Sequence, residues 1–316
     1  MTRPAVGRLA IVGVAWIVLA TFPQWSTVWE SSRFAAGVIR QILIFAIFAS
    51  SLNLLVGYAG LPSLGHAAFF GGGAYAAAIA AQRLGTDELA VSMVAGIGGA
   101  ALLALVIGFF AVRAAGIFFL MLTLALAQMV FAIAYQATDL TGGSNGFSSV
   151  HRPTLFGLDL SAASDLYVLV STVFLLSVLL LWRITTSSYG AALIGVRENE
   201  RRMRALGYDT RTLKLSAFVI AGAMAGVAGT LSAYEFRFVS PNDVALGASV
   251  TGFVMVLIGG AGTLAGPIAG AAVVLLIERA LPSQLPAQTI LGIVFIAFVL
   301  FARQGVVGAL RRAVRA

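Results

Sequence analysis

Ten apolar runs set the terms on which this chain folds, near residues 9–29, 38–56, 64–82, 90–112, 116–137, 165–183, 214–235, 244–260, 264–280 and 287–303. Most span about 18–22 residues, enough for an α-helix to cross the ~30 Å hydrocarbon core of a bilayer. No water reaches backbone N–H and C=O groups there, so each run has to satisfy them internally as a helix. A soluble fold fails on its polar surface: 20 basic and 12 acidic residues in 316, with 60% of the chain hydrophobic, cannot solvate a globule of this size. The sequence therefore predicts an all-α membrane protein of about ten transmembrane helices, a single polytopic domain over residues 1–316. The first run has no small-x-small cleavage site and reads as a retained span rather than a signal peptide. Several of Trp16, Trp25, Trp29 and Trp182 fall near span ends, where amphipathic rings favour the headgroup zone.

Basic residues assign the sides. With the N-terminus inside, the inner segments hold Arg3, Arg8, Arg113, Arg183, Arg197, Arg201, Arg202, Arg204, Arg211, Lys214, Arg303, Arg311, Arg312 and Arg315, which is 14 of the 20. The outer segments keep Arg33, Arg40, Arg83, Arg152, Arg237 and Arg279. Acidic residues run the other way, with only Glu198, Glu200 and Asp209 inside. This split places both termini in the cytoplasm, and it explains the net charge of +8 as topology rather than nucleic-acid binding.

Glycine is concentrated inside the spans. GYAGLPSLGHAAFFGGGAYAAA (57–78) and IGGAGTLAGPIAGA (258–271) are the densest runs, and Pro62 and Pro267 are expected to break a helix between two spans. The architecture thus contains two Gly/Pro-broken helix pairs, each able to be partly re-entrant. The echo between GYAGLPSLG and GGAGTLAGP is too short and simple to establish a duplication.

Two segments outside the runs are long enough to matter, an outer loop at 138–164 and a cytoplasmic segment at 184–213. The second contains GVRENERRMRALGYDTRTLK (195–214), nine charged side chains in a chain only 10% charged. Glu198 and Arg202, and Glu200 and Arg204, stand four apart in the order that supports a helix. Met203 and Leu206 can share an apolar patch, and Gly207 supplies a left-handed stop. Thr210 or Thr212 can cap the next span, with Arg211 and Lys214 at the headgroups. The expectation is a short cytoplasmic helix of two to three turns. A loop that only fixed topology would need a few basic residues and no such pairing, so the segment reads as a docking surface.

The chemistry of many enzyme classes is missing. There is no cysteine, His66 and His151 alone cannot build a histidine-rich metal site, and no GxxxxGK[ST] loop is present to bind nucleotide phosphates. Glu235, Glu278 and Asp165 fall near span ends, which leaves the span interiors almost without the carboxylates an ion-coupled carrier uses. Asn53, Ser63, His66, Thr123 and Gln128 are polar groups at membrane depth, and Thr251 and Thr263 flank the second break. Each has a plain role in interhelical hydrogen bonding, and His66, beside the Pro62 break, is the strongest exception. TGGSNGF (141–147) is either an outer turn or a glycine-rich stretch of free N–H groups suited to a carboxylate.

Four stretches, in order, resemble LivM-type permeases of branched-chain amino acid ABC importers: SLNLLVGYAGLPSLGHAAFFGGGAYAAA (51–78), TGGSNGF (141–147), VRENERRMRALG (196–207) with KLSAFVIAGAMAGVAGTL (214–231), and VLIGGAGTLAGPIAGA (256–271). The resemblance implies a non-enzymatic permease subunit of the bacterial inner membrane, without a cofactor of its own. It would pair with a second, LivH-like permease subunit, two cytoplasmic ATPase subunits that use the ATP, and a periplasmic substrate-binding protein. Urea or short amides are alternative cargo within the family. The charged segment becomes a coupling helix, with Arg197, Glu198, Asn199, Glu200, Arg201, Arg202, Arg204 and Gly207 as its candidate residues. Importers of this kind carry Glu-Ala-Ala six to four positions before the glycine, where this chain has Arg201, Arg202 and Met203. Asn53, Ser63, His66, Gly143, Ser144 and Asn145 are the candidate pathway residues.

Overall fold

The computed structural model describes residues 31–280, apart from 86–87, 149, 151, 156–157 and 161, together with Gly292. Its longer helices are α1 (Ser31–Asn53), α2 (Ala67–Leu84), α3 (Leu89–Ala111), α4 (Ile117–Gln136), α5 (Ala163–Thr185), α6 (Ser188–Ala205), α7 (Thr210–Phe236), α8 (Leu246–Gly259) and α9 (Ala265–Ala280). All except α6 coincide with an apolar run, while the runs at 9–29 and 287–303 lie outside the described residues. Six stretches are long and apolar enough to cross a membrane: Ala35–Ala59, Leu89–Ala111, Ile117–Gln136, Ala163–Thr185, Thr210–Phe236 and Pro241–Gly259. Within the outer loop, Thr154–Leu155 and Leu158–Asp159 form a two-residue antiparallel ribbon.

Helices α1 and α7 are the interior of the bundle. Their most apolar windows are 83% and 72% buried, against 28% or less for α3, α4 and α5. Residue size accounts for this. The buried positions of α3 include Ser92, Gly96, Ala100, Ala104 and Gly108, one small residue every fourth place and hence one face. That face meets Gly222 and Gly226 of α7. A Cβ on Gly226 would strike the Ala100 Cβ and the Gly96 carbonyl, and one on Gly73 of α2 would strike the Gly226 Cα. Three helices therefore touch backbone to backbone. Lipid tails provide no hydrophobic drive between helices, so dispersion across such close contacts has to hold them.

The two ends of the bundle are tied separately. At the end assigned to the outside, Arg40 Nε and Nη2 donate to the Glu235 carboxylate (2.7 and 3.1 Å), and Nη1 donates to the Ala163 carbonyl (3.2 Å). This joins α1, α7 and α5. Phe147 of the TGGSNGF stretch exchanges backbone hydrogen bonds with Val239, just past α7. At the opposite end, α6 lies against α7 through Tyr189, whose hydroxyl is 2.7 Å from Ser216 Oγ. Elements given the same side by the charge count meet at the same end.

The first break falls around Pro62 as expected and is re-entrant, whereas the second does not fall at Pro267. Helix α1 runs directly into a π-helical turn, Leu54–Ala59, closed by Gly60 in the left-handed conformation at φ 68°. The chain then extends back into the bundle, so that the Ala67 N–H reaches Ser249 Oγ (2.9 Å). Ser249 lies ten residues before Gly259 on α8, or about 15 Å along that helix. Helix α2 thus begins at depth rather than at a membrane surface. The second break falls at Gly260 (φ 110°) and Gly262 (φ 80°). Pro267 does not break a helix: it lies in the first turn of α9, where its missing N–H has no intrahelical acceptor to lose.

Candidate functional site

The charged segment is a bent helix. Asn199 interrupts α6 with extended backbone (φ −158°, ψ 95°), and its Oδ1 accepts from the Arg202 N–H (2.9 Å), capping the turn that follows. The expected Glu198–Arg202 pair does not form, because the four-residue spacing no longer crosses a continuous helix. Glu198 instead takes Arg197 Nη2 (2.6 Å) and Nε (3.2 Å). The Glu200–Arg204 pair does form at 2.6 Å. At Gly207 (φ 87°) the helix ends as expected, with Gly207 N donating to the Arg204 carbonyl and Tyr208 N to the Met203 carbonyl, a Schellman closure. Met203 folds toward Gly195, while Leu206 stays 68% exposed, so the two form no shared patch.

The start of α7 also differs. Its cap is Asp209, which accepts from the N–H groups of Arg211 (3.0 Å) and Thr212 (3.2 Å). Hydrogen bonds from Thr212 and Arg211 hold the Asp209 carboxyl below its usual range. Lys214 is no headgroup anchor: its side chain is 8% exposed and Nζ lies 2.5 Å from Glu200 Oε2. Glu200 Oε1 also accepts from Thr210 (3.1 Å). Burial pushes the Glu200 carboxyl up, but the hydrogen bonds from Lys214, Arg204 and Thr210 outweigh it and leave it below the ordinary glutamate value. Most charge of the segment is therefore consumed internally. Arg201 and Arg202 are exposed and have no side-chain partner among the described residues.

Arg197 points inward. Its Nη1 donates to the Gly57 carbonyl of the π turn, and a Cβ on Gly60 would collide with its side chain. Asn53, the last residue of α1, then clamps the second break to the first: its Nδ2 donates to the Thr263 carbonyl (2.9 Å), and its Oδ1 accepts from the Gly262 N–H (2.8 Å). The side chains of two residues thus hold the charged segment and both glycine breaks in one joint. Sequence spacing has no signal for a contact 140 residues apart.

The other pathway candidates sit further along the same line. Ser63 and His66 are fully buried in the returning segment. His66 Nε2 is 2.8 Å from Ser51 Oγ, and its ring packs on Phe48 and Phe69 at 5.5 Å. Gly65 is pressed against the Thr123 carbonyl and Ala127 of α4, and Gly71 of α2 against Asp243 and Val244. At the end that the charge count assigns to the outside, Gly143 is buried against Thr138 and the Tyr135 carbonyl, with Ser144 and Asn145 exposed beside it. A continuous run of contacts therefore leads from the charged segment through the breaks to the outer turn.

The chain matches the family model described as "Branched-chain amino acid transport system / permease component" over residues 34–303, which includes every element just described. It is 31% identical over 296 residues to the high-affinity branched-chain amino acid transport system permease protein LivM of Escherichia coli (strain K12), covering 86% of this chain and 67% of that protein. A probable branched-chain amino acid transport permease protein LivM of Methanocaldococcus jannaschii is 25% identical over 264 residues, 72% of this chain and 75% of that one. The autoinducer 2 import system permease protein LsrC of Salmonella typhimurium is 28% identical over 156 residues, 47% of this chain and 42% of that one. No solved structure matches the chain.

Proposed function

The chain belongs to the branched-chain amino acid transport system permease family, and from that premise we propose how it works. It forms, with a second LivH-like permease subunit, a path for branched-chain amino acids across the bacterial inner membrane. Ten helices cross that membrane, with both termini in the cytoplasm. A periplasmic binding protein delivers substrate, and two separate ATPase subunits supply the work. The Asn199–Gly207 turn of α6 docks on an ATPase subunit through Arg201 and Arg202, which take an acidic groove.

One observation carries this reading: Glu198, Glu200 and Asp209 are all engaged within the chain, so Arg201 and Arg202 present unpaired positive charge outward. Arg197 and Asn53 pass movement of the docked segment to both breaks, since a shift of α6 pulls on the Gly57 carbonyl and, through Asn53, on Gly262. The test is ATP-driven leucine uptake by the reconstituted transporter, with urea as the competing cargo. Arg201→Glu with Arg202→Glu is expected to retain membrane insertion and lose substrate-stimulated ATP hydrolysis and uptake together. Wild-type uptake by that double variant would remove the docking role, and urea uptake without leucine uptake would remove the substrate.

A further inference from the structure

Gln128 stands eleven residues from the start of α4 and eight from its end, about 16 and 12 Å along the axis, which is the middle of the crossing. Hydropathy gave it an interhelical hydrogen bond, like other polar groups at membrane depth, yet it has none. The buried residues of α4 are Phe119, Thr123, Ala127 and Ala134, one stripe facing the rest of the chain. Gln128 points away from that stripe, is exposed and has no hydrogen-bond partner among the described residues. It is the one exposed polar side chain, among those residues, lying more than two turns from both ends of an apolar helix.

A primary amide facing lipid at this depth would leave two N–H donors and a carbonyl unsatisfied, at a cost of roughly 2–7 kcal/mol. The same face bears Met121 and Tyr135 seven residues to either side, and the Tyr135 carbonyl lies against Gly143, which precedes Ser144 and Asn145. The opposite face of α4 receives Gly65 of the returning segment, so the helix that carries Gln128 rests on the element tied to Arg197.

Building on the permease reading, we infer that Gln128 lines the water-filled translocation path and is a polar contact for substrate near the bilayer midplane. A neutral amide both donates and accepts. It serves the carboxylate and the ammonium of a passing zwitterion without a fixed charge that would trap either, as rapid release requires. The small Ala125 and Ala132 beside it leave room for an apolar side chain.

The chain contains no cysteine, so a single Gln128→Cys substitution in the assembled transporter reports on that position alone in this subunit. Thiols react with a charged, membrane-impermeant maleimide as thiolates, which form only in contact with water. Leu102→Cys on α3, 62% exposed at a similar depth, is the lipid-facing control. Gln128→Cys is expected to react at least ten-fold faster than Leu102→Cys, to be protected by leucine with its binding protein, and to lose uptake once modified. Reaction no faster than the control places Gln128 against lipid or inside the subunit interface and overturns the inference. Modification that leaves uptake intact overturns it too. Failure of the permease reading is separate: the unsubstituted complex would then show no ATP-driven uptake at all, whatever the thiol does.

Discussion

Removing the charge of Glu200 should loosen the charged segment far more than its surface position suggests. Its partner Lys214 has a side chain only 8% exposed and no other acceptor among the described residues, while Arg204 is 64% exposed. Stripping one member from a buried ion pair costs about 3–5 kcal/mol, because the other is left charged and unpaired. Lys214 is the fifth residue of α7, so its long stem can carry the ammonium part of the way to water, which lowers the figure to about 2–3 kcal/mol. The Arg204 contact adds less than about 1 kcal/mol at that exposure. Trypsin cuts at Arg201 and Arg202 only when the local helix opens, and with fast reclosing the cutting rate follows the opening equilibrium. At 1.4 kcal/mol per decade, Glu200→Gln in membrane vesicles should be nicked roughly 30- to 150-fold faster than the wild-type chain. Glu200→Gln with Lys214→Met removes both charges and should return to within about five-fold of wild type, because no unpaired ion remains. Nicking of the single variant within three-fold of wild type, or a double variant as fast as the single, would refute the reasoning.

Glu200 also gives the segment a pH dependence of definite sign. Its folded value is held below the ordinary 4.5, so its contribution is complete above 4.5 and fades as pH falls through the lower folded value; amide exchange in 200–214, corrected for intrinsic rates, should be flat from pH 5 to 7 and faster below about 4. Glu235→Gln should destabilise the chain by about 3–5 kcal/mol by leaving Arg40 buried without its carboxylate, seen as a clear fall in Tm in detergent, and Arg40→Met in the same chain should recover most of it. Gly226→Ala should cost about 1–3 kcal/mol through collision with Ala100 and the Gly96 carbonyl. Gly98→Ala, with nothing within 4 Å of its new methyl, should be neutral or stabilising by up to about 1 kcal/mol, and equal Tm values for the two would contradict the packing of α3 on α7.

Span positions were legible because hydrocarbon thickness sets a minimum run of apolar residues, and eight helices, α1 to α5 and α7 to α9, follow those runs closely. Depth was not. The run at 64–82 has the length of a crossing, yet α2 starts about 15 Å inside the bundle, because hydropathy measures what a helix is made of and not where its first residue sits. The ranking of interior against peripheral helices was half visible: the glycines of α7 mark close approach, whereas α1, with larger side chains such as Phe48 and Ile47, is buried by what surrounds it. The π turn after Asn53 has no signature in composition at all.

In the charged segment the expected Glu198–Arg202 pair failed for one identifiable reason. Pairing Glu198 with Arg202 assumes continuous helical periodicity, and Asn199 ends it. The signal was available: asparagine is a strong N-cap, and Asn199 stands three residues before the amide it caps. Asp209, a carboxylate at the mouth of a helix, was likewise a better cap than either threonine near it. With the break in place, the charges separate by direction. Arg197, before Asn199, turns into the bundle to reach Gly57; Glu200, just after it, turns back to Lys214; Arg201 and Arg202 are left facing outward. An unbroken helix would put Arg197, Arg201 and Arg204 on one face, at spacings of four and three, and the inward grip and the outward charge would then compete for the same surface. The bend at Asn199 lets one short segment hold the glycine breaks on one side and turn Arg201 and Arg202, the proposed docking residues, to the other.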